Sequence, residues 1–484
     1  MKPPLRFRSV AVFAFALASW LCLALCVLSV RAQEDLPSLP NVEGEGGKPP
    51  TPPLTLRAAV NWALQHNPAL QTFRRNLGIA QAAVQIARQY PFNPIVQDYT
   101  WYAQGPAEAG VINPIFNEHT MRLDLELRRQ GKYRRAMARA ALTRTEWEIA
   151  AQELLTAILV TRAFNTLLYR QEKYRVLEEG TQLTEYVANL MKQLVELGGP
   201  QRSADLLLAN ADVLDARNAL GPARSVTVVA ENDLRRALGI IDQPFTVEGT
   251  LEKRFTPPPL PTLIQAGLER RPDLHGLQFA VYEAEQRLKL EVANRFGNPS
   301  FGPAFEENET SVTFVGMWLI WQLPILNIRT GEIRQRGAEL ARAMQARHQG
   351  EVLVKQDVFT ALARLAQAEE TVKTFSTEAL PKLRQTREEF DKLYAAGQPG
   401  VTLQQVIDVR RRLLRAQDAY LDALFELSQA QTDLAAAVAD LSLADCRAVS
   451  IPPPSETSGA GTADQKQAAP AGEELPPPTP VPDK

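Results

Sequence analysis

The sequence is poor in the residues that most chemistry requires. It has three cysteines, and two of them, Cys22 and Cys26, lie inside an apolar run near the N-terminus. Once that run is removed only Cys446 is left, so no internal disulfide can form. The four histidines, His66, His119, His275 and His348, are scattered without zinc-like spacing and read as surface or packing residues. No GxxxxGKS/T phosphate loop and no GxSxG nucleophile elbow occurs. The formal charge is only −2, which gives no broad basic field for a nucleic acid. Proline is missing from residues 402–441, and from 331–396 except for Pro381. The absences predict a protein with no cofactor, no metal and no catalytic centre. The missing prolines point to long helices.

The ends of the chain read as separate from the fold. Lys2, Arg6 and Arg8 precede an apolar run from Val10 to Val30, and Val30-Arg31-Ala32 offers a small-residue cleavage site. Residues 1–32 therefore read as a secretory signal, with a transmembrane anchor as the alternative. Leu25 stands before Cys26, where a lipoprotein signal requires a small residue, which argues against lipidation. Residues 33–53 and 446–484 are rich in Pro, Gly, Ala and Glu, cannot bury a core, and are predicted to be disordered.

What remains is one unit written twice. Asn67-Pro68 has a counterpart 204 residues later in Arg271-Pro272, and each follows a short amphipathic segment. Proline in a first turn marks a helix start, so longer helices are predicted over 69–89 and 273–294. Thr120 to Arg128 then alternates, with Met121, Leu123, Leu125 and Leu127 on one face and Arg122, Asp124, Glu126 and Arg128 on the other. That period predicts a strand, with 96–103 as its partner. Residues 300–305 and 311–323 take these roles in the second copy.

Each strand pair leads into a long helical hairpin. Leu154, Ile158, Thr161, Asn165 and Leu168 recur at heptad steps, as do Val187, Leu190, Leu194 and Leu197. So do Tyr420, Leu424, Leu427, Gln431, Leu434, Val438 and Leu441. At 1.5 Å per residue each outward arm is roughly 100 Å long. Gly198, Gly199 and Pro200 break the first hairpin, and Gly397, Pro399 and Gly400 break the second. Ser203 and Thr402 are placed to cap the returning helices. The predicted organisation is a first repeat over 54–243, a proline-rich linker over 244–260 and a second repeat over 261–445. Glu306-Glu307-Asn308-Glu309 reads as a solvated hairpin loop. Arg410-Arg411-Arg412 reads as a solvated or interhelical ion-pairing face.

Four strands cannot close a barrel, and a barrel that crosses a bilayer must be closed, because an open edge leaves backbone groups unpaired. Several chains must therefore contribute. In order and spacing these features resemble the TolC-like outer membrane efflux family over nearly all of 54–441. The resemblance implies a mostly helical chain with four strands. It trimerises into a twelve-strand barrel in the outer membrane of a Gram-negative-type bacterium and a helical tube through the periplasm. It further implies a periplasmic adaptor and an inner-membrane pump as partners, outer-membrane lipid around the barrel, and adaptor docking at the hairpin tips. Cargo would be drugs, metal ions or secreted polypeptides. Asp205 and Asp408 match aspartates that narrow the periplasmic end in that family. Gln405 stands where another aspartate is expected, and Val401 replaces a basic residue near the tip. Gln322-Leu323-Pro324 keeps the family's proline between strand and helix, whereas Arg129-Gln130-Gly131 lacks one. The rival reading is a coiled-coil scaffold of the cell envelope, which explains the heptads but not the strands.

Overall fold

The computed structural model describes residues 53–105, 107–196, 203–241, 244–252, 256–396 and 403–444. Both predicted terminal segments and both hairpin tips lie outside these, so Gly198, Gly199, Pro200, Gly397, Pro399, Gly400 and Thr402 have no structural account. Among the described residues no helix is long and apolar enough to cross a membrane.

The first half opens with α1 (Leu56–His66), α2 (Pro68–Arg74) and α3 (Asn76–Arg88). Asn67 makes the corner between α1 and α2. Its Oδ1 accepts from the Leu70 amide at 3.1 Å and caps α2, while its Nδ2 donates to the Ala237 carbonyl at 2.8 Å. The single helix predicted over 69–89 is interrupted at Arg75, which separates α2 from α3. Strands β1 (Ile95–Tyr102) and β2 (Ile115–Asp124) follow. Then come the 67-residue α4 (Gln130–Glu196) and its return partner α5 (Ser203–Leu238). Gly239 ends α5 at φ 74°, where a Cβ would lie 2.6 Å from Pro68 Cδ, so only glycine lets the two ends meet there.

The second half repeats the order with α6 (Leu260–Arg270), α7 (Pro272–Asn294), β3 (Ser300–Glu307) and β4 (Thr313–Ile320). The outward arm is α8 (Thr330–Thr374) and α9 (Leu380–Ala395), and α10 (Leu403–Val438) returns. The stretch 331–396, with Pro381 its one proline, predicted one unbroken arm. Instead a five-residue π-helix, Phe375–Ala379, joins α8 to α9 just ahead of Pro381. Pro381 has no N–H to give its preceding turn and its ring crowds that turn. The widened turn, closed by Leu380 N–H to the Phe375 carbonyl, relieves the conflict. The proline-rich span after α5 is anchored at its start. The Leu54 amide donates to the Thr246 carbonyl at 2.7 Å, the Glu248 amide returns to the Leu54 carbonyl at 3.0 Å, and Leu251 is buried.

The four strands form one antiparallel sheet in the order β1-β2-β3-β4. The strand predicted at 120–128 lies several residues earlier, because pairing with β1 selects 115–122. Leu125 and Leu127 fall beyond its end. Glu306 and Glu307, predicted in a loop, belong to β3. Of the four, Asn308 and Glu309 fall in the turn 308–312, where Asn308 Oδ1 accepts from the amides of Thr310 and Val312. Opposite Met121 the sheet requires glycine, since a Cβ on Gly302 would lie 1.7 Å from the Met121 carbonyl oxygen.

The core sits where the hairpins meet. Ala59, Val60 and Ala63 of α1 pack among Val160, Phe164 and Leu167 of α4 and Leu234 and Leu238 of α5. Leu263 of α6 makes the corresponding plug against Val358 and Leu365 of α8 and Leu434 and Val438 of α10. Two of the three heptad seams are buried as their spacing requires; of the third, Val187 is buried, Leu190 is half-buried, and nothing is described of the side chains of Leu194 and Leu197. Ile158, Thr161, Asn165 and Leu168 are buried in α4, and Leu424, Leu427, Gln431 and Leu434 in α10.

Candidate functional site

Two places bear on the predicted sites: the described helix starts that follow the hairpin breaks, and the sheet. At the first, α5 begins at Ser203 with Asp205 as its third residue, and nothing is described of either side chain. Gln405 and Asp408 lie one turn apart in α10, both exposed, and Val406 and Ile407 between them are buried. The helix thus turns one polar edge outward within its first two turns. Just beyond, Arg410 donates to Asp391 of α9 at 3.0 Å and Arg411 to Asp212 of α5 at 2.6 Å. The arginine run is an interhelical ion-pairing face, and Arg411 ties one hairpin to the other.

A second tie lies further along the arms. Lys173 Nζ of α4 donates to Asp422 of α10 at 2.8 Å and approaches Asp418 at 3.3 Å. Tyr169 donates its hydroxyl to Asp422 at 2.5 Å and stacks on Phe425 with ring centres 4.4 Å apart. Burial alone would push the Lys173 ammonium down. The hydrogen bonds with Asp422 and Tyr169 and the charge of Asp418 outweigh it and hold the group well above its ordinary value. Burial likewise opposes ionisation of Asp422, but the bonds from Lys173 and Tyr169 prevail and its carboxyl is lowered. Burial and the bond to Asp422 raise the Tyr169 phenol. The cluster is a fixed charge clamp between the two hairpins.

The sheet has two unpaired edges, β1 and β4, among the described residues. Three antiparallel steps separate them, so they run in opposite directions. One face carries Met121, Leu123, Phe301, Met317 and Leu319. The other carries Thr120, Arg122, Asp124, Ala304 and Glu306, and also Tyr99, Trp101, Phe116 and Phe314. The division into a greasy and a wet face is less clean than alternation in 120–128 predicted. Four aromatic residues of the second face gather toward the loops, where Tyr99 stacks on Trp101 at 5.2 Å and Trp101 meets Phe116 at 4.9 Å, while Trp318 lies toward the helices.

Three of the four histidines are held by packing and hydrogen bonds, and His348 is exposed on α8. His66 stacks on Trp62 at 3.8 Å, His275 stacks on Trp147 at 4.3 Å, and His119 Nδ1 lies 2.6 Å from Asp98. Among the described residues no group of His, Cys, Asp or Glu is arranged to hold a metal ion.

The same fold recurs in solved structures. CusC aligns with TM-score 0.64 at 16% identity, over 79% of this chain and 91% of its own. The Neisseria gonorrhoeae MtrE outer membrane channel in its open state gives 0.62 at 16%, over 79% and 88%. The Campylobacter jejuni CmeC outer membrane channel gives 0.60 at 14%, over 80% and 85%. The chain has the TolC-like channel fold. No family profile matches the sequence, and no curated protein does.

Within the TolC-like fold, one pair of residues was missed by reading the sequence alone. Arg129 and Arg329 both adopt left-handed backbone, at φ 62° and 57°, and each immediately precedes a long helix. They begin the same spacing, Arg129-Gln130-Gly131-Lys132-Tyr133-Arg134 and Arg329-Thr330-Gly331-Glu332-Ile333-Arg334. Setting Arg129 against the region of Pro324 therefore misaligned the two passages. The second is longer, and its proline lies ahead of the equivalent position. The side chain of Arg329 pairs with Glu291 at 2.6 Å; in the first passage it is the neighbouring Arg128 that lies over the Phe296 ring, at 3.6 Å.

Proposed function

We propose that the chain is one third of a passive export duct in the outer membrane of a Gram-negative-type bacterium, reaching into the periplasm. The carrying observation is a four-strand sheet whose free edges run oppositely, set beside arms of about 100 Å. Edge β4 of one copy can pair antiparallel with edge β1 of the next, so head-to-tail copies close a ring that a bilayer tolerates. Three copies give the twelve strands that the fold's resemblance implies, and the arms then stand side by side as a tube. Residues 54–243 and 261–445 act as two copies of one unit joined by 244–260. A conduit must release what it admits, so cargo binds weakly and energy comes from an inner-membrane pump. A periplasmic adaptor would link that pump to the two hairpin tips, at Gly198, Gly199 and Pro200 and at Gly397, Pro399 and Gly400. Asp205, Asp408 and Gln405 would line the narrow end.

Crosslinking of membranes in mild detergent tests the assembly, with fractionation alongside. A three-chain species in the outer-membrane fraction is expected. A stable monomer, or release by salt or alkali as expected of a coiled-coil scaffold, would sink the reading.

A further inference from the structure

We propose that lipid acyl chains cover not the sheet alone but the helix-side part of one sheet face together with the two passages that lead into α4 and α8. The loop-side third of the sheet then stands outside the hydrocarbon. The inference rests on reading the chain as a barrel component and fixes where the bilayer sits on it.

The face that carries Met121, Leu123, Met317 and Leu319 changes character along its height. Toward the loops it reaches the hydrogen-bonded pair Asp98 and His119, with Phe305 and Val315 beside them. The next cross-strand row on that face is Thr100, Asn117, Glu307 and Thr313, polar throughout, with Thr100 donating to Asn117 at 3.1 Å. Within the sheet the continuous apolar band therefore runs from Leu123 to the row of His119, and Tyr102 opposite Ile115 stands apart from it beyond the polar row. Four steps of about 3.4 Å on a strand tilted about 40° rise only ~10 Å. The apolar belt of a membrane barrel is about 25 Å tall. The sheet by itself falls short by more than half.

Toward the helices the band does not stop where the sheet does. The Leu125 amide donates to the Pro299 carbonyl at 2.8 Å, which carries the β2–β3 ladder past the last assigned residue. The alternation continues on one side through Leu125 to Leu127 and on the other through Trp321 to Leu323. Leu127 and Leu323 are 67% and 61% exposed, as open as Met317 at 68% within the sheet. The intervening polar residues are engaged away from that band: Asp124 accepts from Ser300 at 2.5 Å and Glu126 from Arg134 at 2.5 Å. Including the passages doubles the span to eight steps, ~21 Å of height, close to the belt a bilayer requires. The lower rim has the chemistry of a membrane interface. Trp321 turns its Nε1–H to the Phe296 carbonyl at 3.0 Å, and the Arg128 guanidinium lies over the Phe296 ring. The offset also removes the Asp98–His119 pair and Glu307 from the middle of the hydrocarbon, where polar groups are expensive.

Single cysteines placed in a variant whose other cysteines are replaced by alanine test this. Leu127→Cys, Leu323→Cys, Met317→Cys, Asn117→Cys and Thr313→Cys would each carry an environment-sensitive fluorophore. The full chain is reconstituted in phosphatidylethanolamine–phosphatidylglycerol vesicles, and each variant is first shown to give the same crosslinked species as the parent. Labels at 127, 317 and 323 should be quenched several-fold more by brominated acyl chains than by aqueous iodide, and labels at 117 and 313 the reverse. If 317 is lipid-quenched while 127 and 323 respond to iodide or to neither quencher, the displaced band is wrong and the barrel reading survives. Lipid quenching at 117 and 313 would overturn it equally. If no position is lipid-quenched, including 317, the barrel reading itself fails and this inference with it.

Discussion

Asp422 serves as the shared acceptor of the clamp between the hairpins, taking one bond from Lys173 and one from Tyr169. Its folded-state carboxyl titrates below the unfolded value, so its stabilisation is present above about pH 4 and is lost as pH falls through the folded value. Lys173 is raised, so its share is present below about pH 10 and is lost only as pH rises through its own folded value. Asp422→Asn should therefore destabilise by about 1 kcal/mol across neutral pH, a figure discounted for the half exposure of Asp422. Thermal melts should show the gap to the parent closing toward about pH 3. A gap that stays constant into acid would remove the charge from the explanation. Asp205 and Asp408 make a different kind of claim. If they line the narrow end, threefold symmetry turns each into a ring of three carboxylates that favours cations. Asp205→Ala combined with Asp408→Ala should lower cation selectivity and weaken block by multivalent cations in planar bilayers. Unchanged selectivity and block would make them ordinary helix-start charges.

At the scale of elements, the sequence announces a glycine–proline break between the arms of each hairpin, at positions outside the described residues. In the proposed duct these tips meet the adaptor. Bulky residues at Gly198 and Gly199 should abolish export while the crosslinked trimer and its membrane location persist, and export that survives would place docking elsewhere. The long helices were legible because heptad spacing and missing prolines act over tens of residues; Leu424, Leu427 and Leu434 are buried as that spacing demands. The π-turn at Phe375–Ala379 was legible only as Pro381, a residue that signals a break without saying how the backbone resolves it. The β2 boundaries were misread for a related reason. Alternation from Met121 to Leu127 is real, but a ladder is set by its partner, and β1 pairs with 115–122. Of the candidate site, the Arg410–Arg412 face could be seen in the sequence, whereas its partners Asp391 and Asp212 depend on how distant helices align.

For the whole molecule, the arms and the sheet set a length. A 67-residue helix spans about 100 Å, and the tilted strands add roughly 25 Å more. Small-angle scattering of the detergent-solubilised assembly, corrected for the micelle, should give a longest dimension of about 125 Å, the sum of these two lengths. A particle well under about 100 Å would contradict the side-by-side arrangement of the hairpins. The free edges of the sheet have a further consequence for how such an assembly comes together. One copy exposes two open edges, and two joined copies still expose two, because each docking covers one pair and brings another. Only the last joining lowers the number, and it lowers it to zero. Partial rings thus gain no relief in a membrane, growth has no stable halfway stage, and closure becomes a single committing event.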